Sequence, residues 1–330
     1  MTPKTARLVE QMLKGDTVSL SRVISLIENE SSQIPEIMKL IAPHVGRAHC
    51  IGVTGPPGAG KSTLVDRLTA LMRKQDSKIG IIAVDPSSPF TGGAVLGDRI
   101  RMQQHYLDAG VFIRSMATRG SMGGLPQTAS SVIKLLDAAG KEIIMVETVG
   151  VGQSEVDIME KTDTVLVVLS PESGDAVQTM KAGLFEIADI FVVNKADHPG
   201  ADSFVRDIQA MLQLHEPGWW NAPVIATEAI NGVGVTELYK QIGLHYQALC
   251  EEGRLAQCHQ LQRRHDFMRI LEQRLTHKLL ALVEQDGELN SYIERVETGE
   301  LDPFSAADEI LKSQRILTDL LRDQRQNETL

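Results

Sequence analysis

One nine-residue run limits what this chain can fold into more than any other: residues 55–63, reading GPPGAGKST. Gly55, Gly60, Lys61 and Ser62 stand at the spacing G-x-x-x-x-G-K-[ST] of a phosphate-binding loop. Nucleotide phosphates need a concave row of backbone N–H groups, and a glycine-rich turn bends tightly enough to supply it. The positive end of the following helix dipole adds to the attraction. Lys61 is expected on the β/γ oxygens and the Ser62 hydroxyl on Mg²⁺. The whole run (Gly55, Pro56, Pro57, Gly58, Ala59, Gly60, Lys61, Ser62 and Thr63) is expected to wrap the phosphates. Its context fits: the apolar run at 50–53 precedes it as a strand should. Leu64, Val65, Leu68 and Leu71 follow at helical spacing.

Downstream, short β-rich runs alternate with amphipathic stretches, at 50–53, 79–84, 111–114, 143–146, 165–169, 190–193 and 224–226. Several are unbroken Val/Ile/Leu runs, as strands buried on both faces tend to be. The expectation is an α/β fold, with a mainly parallel central sheet flanked by helices over residues 46–250. Residues 1–45 read as a helical segment in which Ser19 is a candidate cap, with a break at 29–33. Residues 251–330 read as helices. The longest, at 254–285, carries Phe267, Ile270, Leu271, Leu275, Leu279 and Leu282 on one seam, suited to packing on the sheet or to a dimer arm. Pro303 marks a break before the last helical pattern.

A net charge of −10 and only 4% aromatic residues argue against a nucleic-acid or anionic-membrane binder. The opening residues lack a signal-peptide pattern, and no apolar run approaches a membrane span, so a cytoplasmic chain is expected. Three cysteines without a CxxC pair fit reduced thiols. Cys258, His259 and His265 are too loosely grouped to read as a metal site.

In such a sheet, functional residues sit just past the strand C-termini. Asp85 follows the second strand, placed to approach Mg²⁺ directly or through water. The Gly-containing stretch 90–101, with Asp98, Arg99 and Arg101, reads as a switch loop. Glu147-Thr148-Val149-Gly150 stands where many GTPases carry D-x-x-G, with Glu in place of Asp. The next residue is Val151, where Ras-like proteins use a Gln to orient the attacking water. Slow unaided hydrolysis is expected, unless Gln153, another loop residue or a partner supplies the polar group. Residues 170–183, with Asp175, Gln178 and Lys181, are a candidate second nucleotide-sensing segment. Asn194-Lys195-Ala196-Asp197 matches the guanine-reading N-K-x-D run. Asp197 would accept from guanine N1–H and the 2-amino group, Asn194 would brace the loop, and the Lys195 stem would cover the base. After the last strand come Glu228 and Ala229, of which the Ala229 N–H is the candidate contact to guanine O6.

GPPGAGKST, VDPSSPFTGGAVLGDRIRM, ETVGVGQSE, SPESGD and NKAD, in this order, resemble the MeaB/ArgK family of P-loop GTPases. These are G-protein chaperones of adenosylcobalamin-dependent methylmalonyl-CoA mutase, similar to the mitochondrial methylmalonic aciduria type A protein. The resemblance covers nearly the whole chain. It implies the P-loop NTPase fold, a homodimer joined through C-terminal helices, GTP hydrolysis with Mg²⁺, and nucleotide-gated loading and protection of the cobalamin cofactor. It also implies Ser62, Asp85, Asp98 and Glu147 around the metal. Lys61, Glu147, Gly150, Arg101, Gln153 and Lys181 are then the candidates for phosphate chemistry and switching. Asn194, Lys195, Asp197, Glu228 and Ala229 form the base site. Two alternatives are an ATPase or kinase linked to amino-acid transport and a nucleotide-dependent scaffold that does not hydrolyse.

Overall fold

A computed structural model describes residues 2–85, 102, 104–118, 125–126, 128–150, 156–172, 184–214, 218–285 and 287–321. The chain divides into two compact units, residues 1–260 and 261–330.

Seven strands form one parallel sheet in the first unit. They are β1 (His49–Thr54), β2 (Ile79–Asp85), β3 (Val111–Ala117), β4 (Ile143–Glu147), β5 (Thr164–Leu169), β6 (Ile190–Asn194) and β7 (Val224–Thr227), in the order 3-2-4-1-5-6-7. The seven apolar runs in the sequence are these strands, each with one to three further residues at its ends. Every residue of β2, β5 and β6 is buried, which explains why those runs are apolar throughout instead of alternating. Pairing of β1 with β4 sets Val53 opposite Glu147, and pairing of β2 with β4 sets Ala83 opposite the same residue. Asp85 therefore ends its strand two residues further along, at the same edge of the sheet.

Helices cover both faces. On one lie Lys61–Arg73 and Val235–Cys250, which bury Leu64, Leu68, Leu238 and Ile242 against Ile51, Val53, Leu166 and Val168. On the other, three N-terminal helices join Ala129–Ala138 and Ala201–Leu212 over Ile82, Val146, Val167 and Phe191. The three are α1 (Pro3–Leu13), α2 (Thr17–Glu28) and α3 (Ile34–Ile41), and their Val9, Met12, Ile24 and Ile37 belong to that same core. The α2 cap is Asp16, whose carboxylate accepts from the Ser19 N–H, so Ser19 is the capped residue and not the cap. A side-chain acceptor must precede the first turn, and Asp16 does. Among the described residues no helix is long and apolar enough to cross a membrane.

The second unit is helical. It continues the helix Arg254–Gln285 and adds Gly287–Glu297, Pro303–Lys312 and Gln314–Leu321. Pro303 starts a helix, capped by Asp302, because its missing N–H costs nothing in the first turn. The final break falls at Ser313. Leu289, Ala306 and Ile316 are buried, whereas Phe267, Ile270, Leu271, Leu275 and Leu279 of the sequence seam are exposed.

Candidate functional site

The C-terminal ends of β2, β4, β6 and β7 converge with the loop after β1 around a cavity of about 660 Å³, a size typical of ligand pockets. Pro57, Gly58, Gly60, Lys61, Ser62 and Thr63 line it from the phosphate loop, Asp85 and Glu147 from the strand ends, and Asn194, Lys195, Asp197, Glu228 and Ala229 from the base side. Gly55, Pro56 and Ala59 lie behind that rim and serve through their carbonyls. Lys61 Nζ donates to Gly55 O at 2.7 Å and to Pro56 O at 3.0 Å, and reaches Val149 O at 3.4 Å. The ammonium is thus fixed over the loop, where phosphate oxygens can replace the carbonyls.

Two glycines are required by contact as well as by conformation. A Cβ on Gly60 (φ 92°) would stand 2.2 Å from Asn194 Nδ2. One on Gly150 (φ 84°) would stand 2.0 Å from Gly55 O and 2.7 Å from Lys61 Nζ. Gly150 therefore lies directly against the phosphate loop and its lysine.

Ser62 Oγ donates to Glu147 Oε1 at 2.7 Å. Asp85 is 4% exposed and Glu147 3% exposed, and both face the cavity beside Ser62. Carboxylates so deeply buried favour a cation near them. The donor set is hydroxyl and carboxylate oxygen, the chemistry that suits Mg²⁺. Ser62, Asp85 and Glu147 therefore fit the expected metal, with the extra methylene of Glu147 bridging to the serine. Thr148 Oγ1 donates to Thr54 Oγ1 at 2.8 Å, tying the end of β4 to the end of β1.

Asn194 connects the phosphate and base halves. Its Nδ2 donates to Ala59 O at 2.8 Å, and its Oδ1 accepts from Thr227 Oγ1 at 3.1 Å and from the Ala229 N–H at 3.0 Å. The Ala229 N–H, expected to face guanine O6, is given in this structure to Asn194. Arg67, on the helix after the phosphate loop, donates through Nε to Ala229 O at 3.1 Å and through its guanidinium to Ile230 O. The base loop is held from both sides. The Glu228 side chain meets Asn231 Nδ2 at 3.2 Å. Asp197 is exposed at the mouth of the cavity.

Glu172, inside the stretch 170–183 but not named there as a site residue, and His198, which sequence reasoning missed, also line the cavity. The one available signal was position, since Glu172 follows a central strand. Asp98, Arg101, Gln153 and Lys181 lie outside the described residues, as do Arg99, Val151, Asp175 and Gln178. His259, weighed as a metal ligand, instead meets Asp163 Oδ1 at 2.9 Å.

The chain matches the family model described as methylmalonyl Co-A mutase-associated GTPase MeaB over residues 20–284. It is 49% identical to a Pyrococcus abyssi protein named as a candidate GTPase, over 92% of this chain and 95% of that one. It is 31% identical to GTPase ArgK of Escherichia coli, over 90% of this chain and 93% of ArgK. It is 30% identical to the mitochondrial methylmalonic aciduria type A homolog of Mus musculus, over 93% of this chain and 79% of that protein. Among solved structures, one described as an LAO/AO transport system kinase superposes with a TM-score of 0.70 at 26% identity, covering 94% of this chain and 98% of the other. A phosphate loop braced to an N-K-x-D loop, within a family match spanning most of the chain, gives one conclusion: the chain belongs to the methylmalonyl-CoA mutase-associated GTPases, the MeaB family.

Proposed function

We propose that this chain is a slow, Mg²⁺-dependent GTPase that acts as a nucleotide-gated chaperone of an adenosylcobalamin-dependent methylmalonyl-CoA mutase, helping to load and protect its cofactor. The observation that carries the reading is the Asn194 bridge, which joins the phosphate loop, through Ala59, to a base loop of guanine-reading type. Lys61 exchanges Gly55 and Pro56 carbonyls for phosphate oxygens, bringing its charge to the phosphates. Ser62, Asp85 and Glu147 would hold Mg²⁺, with Asp98 the further acid that the family resemblance implies. An ion held there would neutralise charge on the phosphates. The Gly150 N–H, in a residue packed against Lys61, is the candidate contact to the γ-phosphate. Val151 offers the attacking water no polar group, so turnover waits on Gln153, Arg101, Lys181 or the partner. Asp197 pairs with guanine N1–H and the 2-amino group, a pattern adenine lacks, under the stem of Lys195.

The name of the matching family and the 30% identity to the methylmalonic aciduria type A homolog support the mutase as partner. The exposed seam Phe267, Ile270, Leu271, Leu275 and Leu279 supports residues 251–330 as a dimerisation arm, since monomers rarely leave so much contiguous apolar surface in water. We place the chain in the cytoplasm. A second reading, an ATP-using transport kinase, draws on the 26% identical structure described as a transport system kinase. Asp197 weighs against it. Affinity capture on the full chain tests the proposal: an adenosylcobalamin mutase should be retained, and retention should differ between GTP and GDP. Capture without nucleotide dependence, or none with purified mutase, would refute the gating.

A further inference from the structure

Three residues past β5, Glu172 projects into the mouth of the cavity. Its Oε2 receives Lys195 Nζ at 2.6 Å and its Oε1 meets His198 Nδ1 at 2.7 Å. His198 Nε2 in turn lies 3.7 Å from Asp197 Oδ2. One carboxylate therefore holds two side chains of the same loop, on either side of Asp197. Lys195 itself has φ 58°, a left-handed backbone that a lysine keeps only when its surroundings hold it there. The Lys195 ammonium, hydrogen-bonded to Glu172, holds the Glu172 carboxyl below the usual glutamate range, with His198 adding to the effect. The carboxylate is therefore charged near neutral pH, when the clamp must act.

An isolated exposed ion pair does little for fold stability. This one has a different target, because both of its partners belong to the wall that faces the base. With the ammonium anchored at its tip, the four-carbon stem of Lys195 is held at both ends beside the cavity it lines. The His198 contact ties the turn that carries Asp197 to Glu172 a second time.

We propose that Glu172 is a positioning and specificity-determining residue of the base site: by clamping Lys195 and His198 it sets the Asp197 carboxylate against the 2-amino edge of guanine. The inference rests on the guanine-site reading above, and the experiment separates the two.

Binding of GDP and of IDP, whose base lacks the 2-amino group, is measured by calorimetry on the full-length protein and on Glu172→Ala, Glu172→Gln and Asp197→Ala. Loss of the Lys195 ion pair and the His198 contact weakens GDP about three- to tenfold in Glu172→Ala. Glu172→Gln shows a smaller loss of the same sign. IDP, which keeps the N1–H contact but lacks the 2-amino one, weakens less than GDP in both, so the GDP-over-IDP preference contracts. In a Lys195→Met background, which keeps an unbranched apolar stem, Glu172→Ala adds less than it does alone. GDP affinity within twofold of the parent in both Glu172 variants would overturn the proposal while Asp197→Ala still weakens GDP. Equal weakening of GDP and IDP would overturn it too, because the clamp would then not act through the 2-amino contact. Unchanged GDP affinity in Asp197→Ala would remove the base-site reading, and this inference with it.

Discussion

Truncating Asn194 to alanine should loosen the site before any ligand arrives. Asn194 is 3% exposed and makes three hydrogen bonds: to Ala59 O, from Thr227 Oγ1 and from the Ala229 N–H. Each neutral buried hydrogen bond contributes about 1 kcal/mol net, so removing three costs roughly 3 kcal/mol. A domain of this size loses about 2–4 °C of melting temperature per kcal/mol, so ligand-free Asn194→Ala should melt roughly 6–12 °C lower. Two ligand-binding segments then lose their common brace, and the extra thermal protection that GDP gives the parent should shrink in the variant. Asn194→Asp is the informative control. It keeps both accepted bonds but sets an oxygen against Ala59 O, so it should spare the β7 side and damage the phosphate-loop side. Differential scanning fluorimetry with and without GDP reads both effects. An Asn194→Ala melting temperature within about 2 °C of the parent, with full GDP protection, would show that the brace does not organise the site.

Other outcomes follow from the same contacts. Lys61→Ala should reduce GTP hydrolysis at least about a thousandfold in a phosphate-release assay, because the phosphates lose their one fixed ammonium in this loop. Asp197→Asn should weaken GDP at least about a hundredfold and favour XDP, whose C2 carbonyl accepts from the new amide. Competition binding checks the exchange of preference. His49 is pushed down to about 4 chiefly by burial, with a stacked Tyr246 over it. Its folded-state value lies below the unfolded one, so the unfolded chain binds more protons between about pH 4 and 6.5. The stabilising contribution is complete above pH 6.5 and lost as pH falls through that window, by no more than about 3 kcal/mol. His49→Phe, which keeps the stack, should flatten urea midpoints between pH 4 and 6.5 relative to the parent.

Much of this was legible in the residues themselves. A central parallel strand must be apolar on both faces, so the runs at 79–84, 165–169 and 190–193 announced the sheet. Function in such a sheet lies just beyond its strand ends, so Asp85, Glu147 and Asn194 were found from where those runs stop. Local sequence carried less about caps: Ser19 and Asp16 have similar capping chemistry, and only the geometry of the first turn chose Asp16. Contacts between residues distant in sequence were not legible at all. Nothing near Asp137 says that its carboxylate accepts from the Gly46, Arg47 and Ala48 amides and so fixes the entry to β1. The same holds for Arg67 on the base-loop carbonyls and for Glu172 on Lys195, since an isolated acid or base in a sequence has no visible partner. Strand periodicity encodes which residues are buried, whereas side-chain bridges depend on which strand ends become neighbours.

The proposed function rests on two properties of the cavity: it turns over GTP, and a mutase partner controls the rate. Both are read from steady-state phosphate release from GTP and from ATP, each with Mg²⁺, with and without an adenosylcobalamin-dependent methylmalonyl-CoA mutase. Release from GTP alone should be slow, should rise several-fold when the mutase is added, and should stay at background from ATP throughout. Equal turnover of ATP, or a GTP rate that the mutase leaves unchanged, would contradict this.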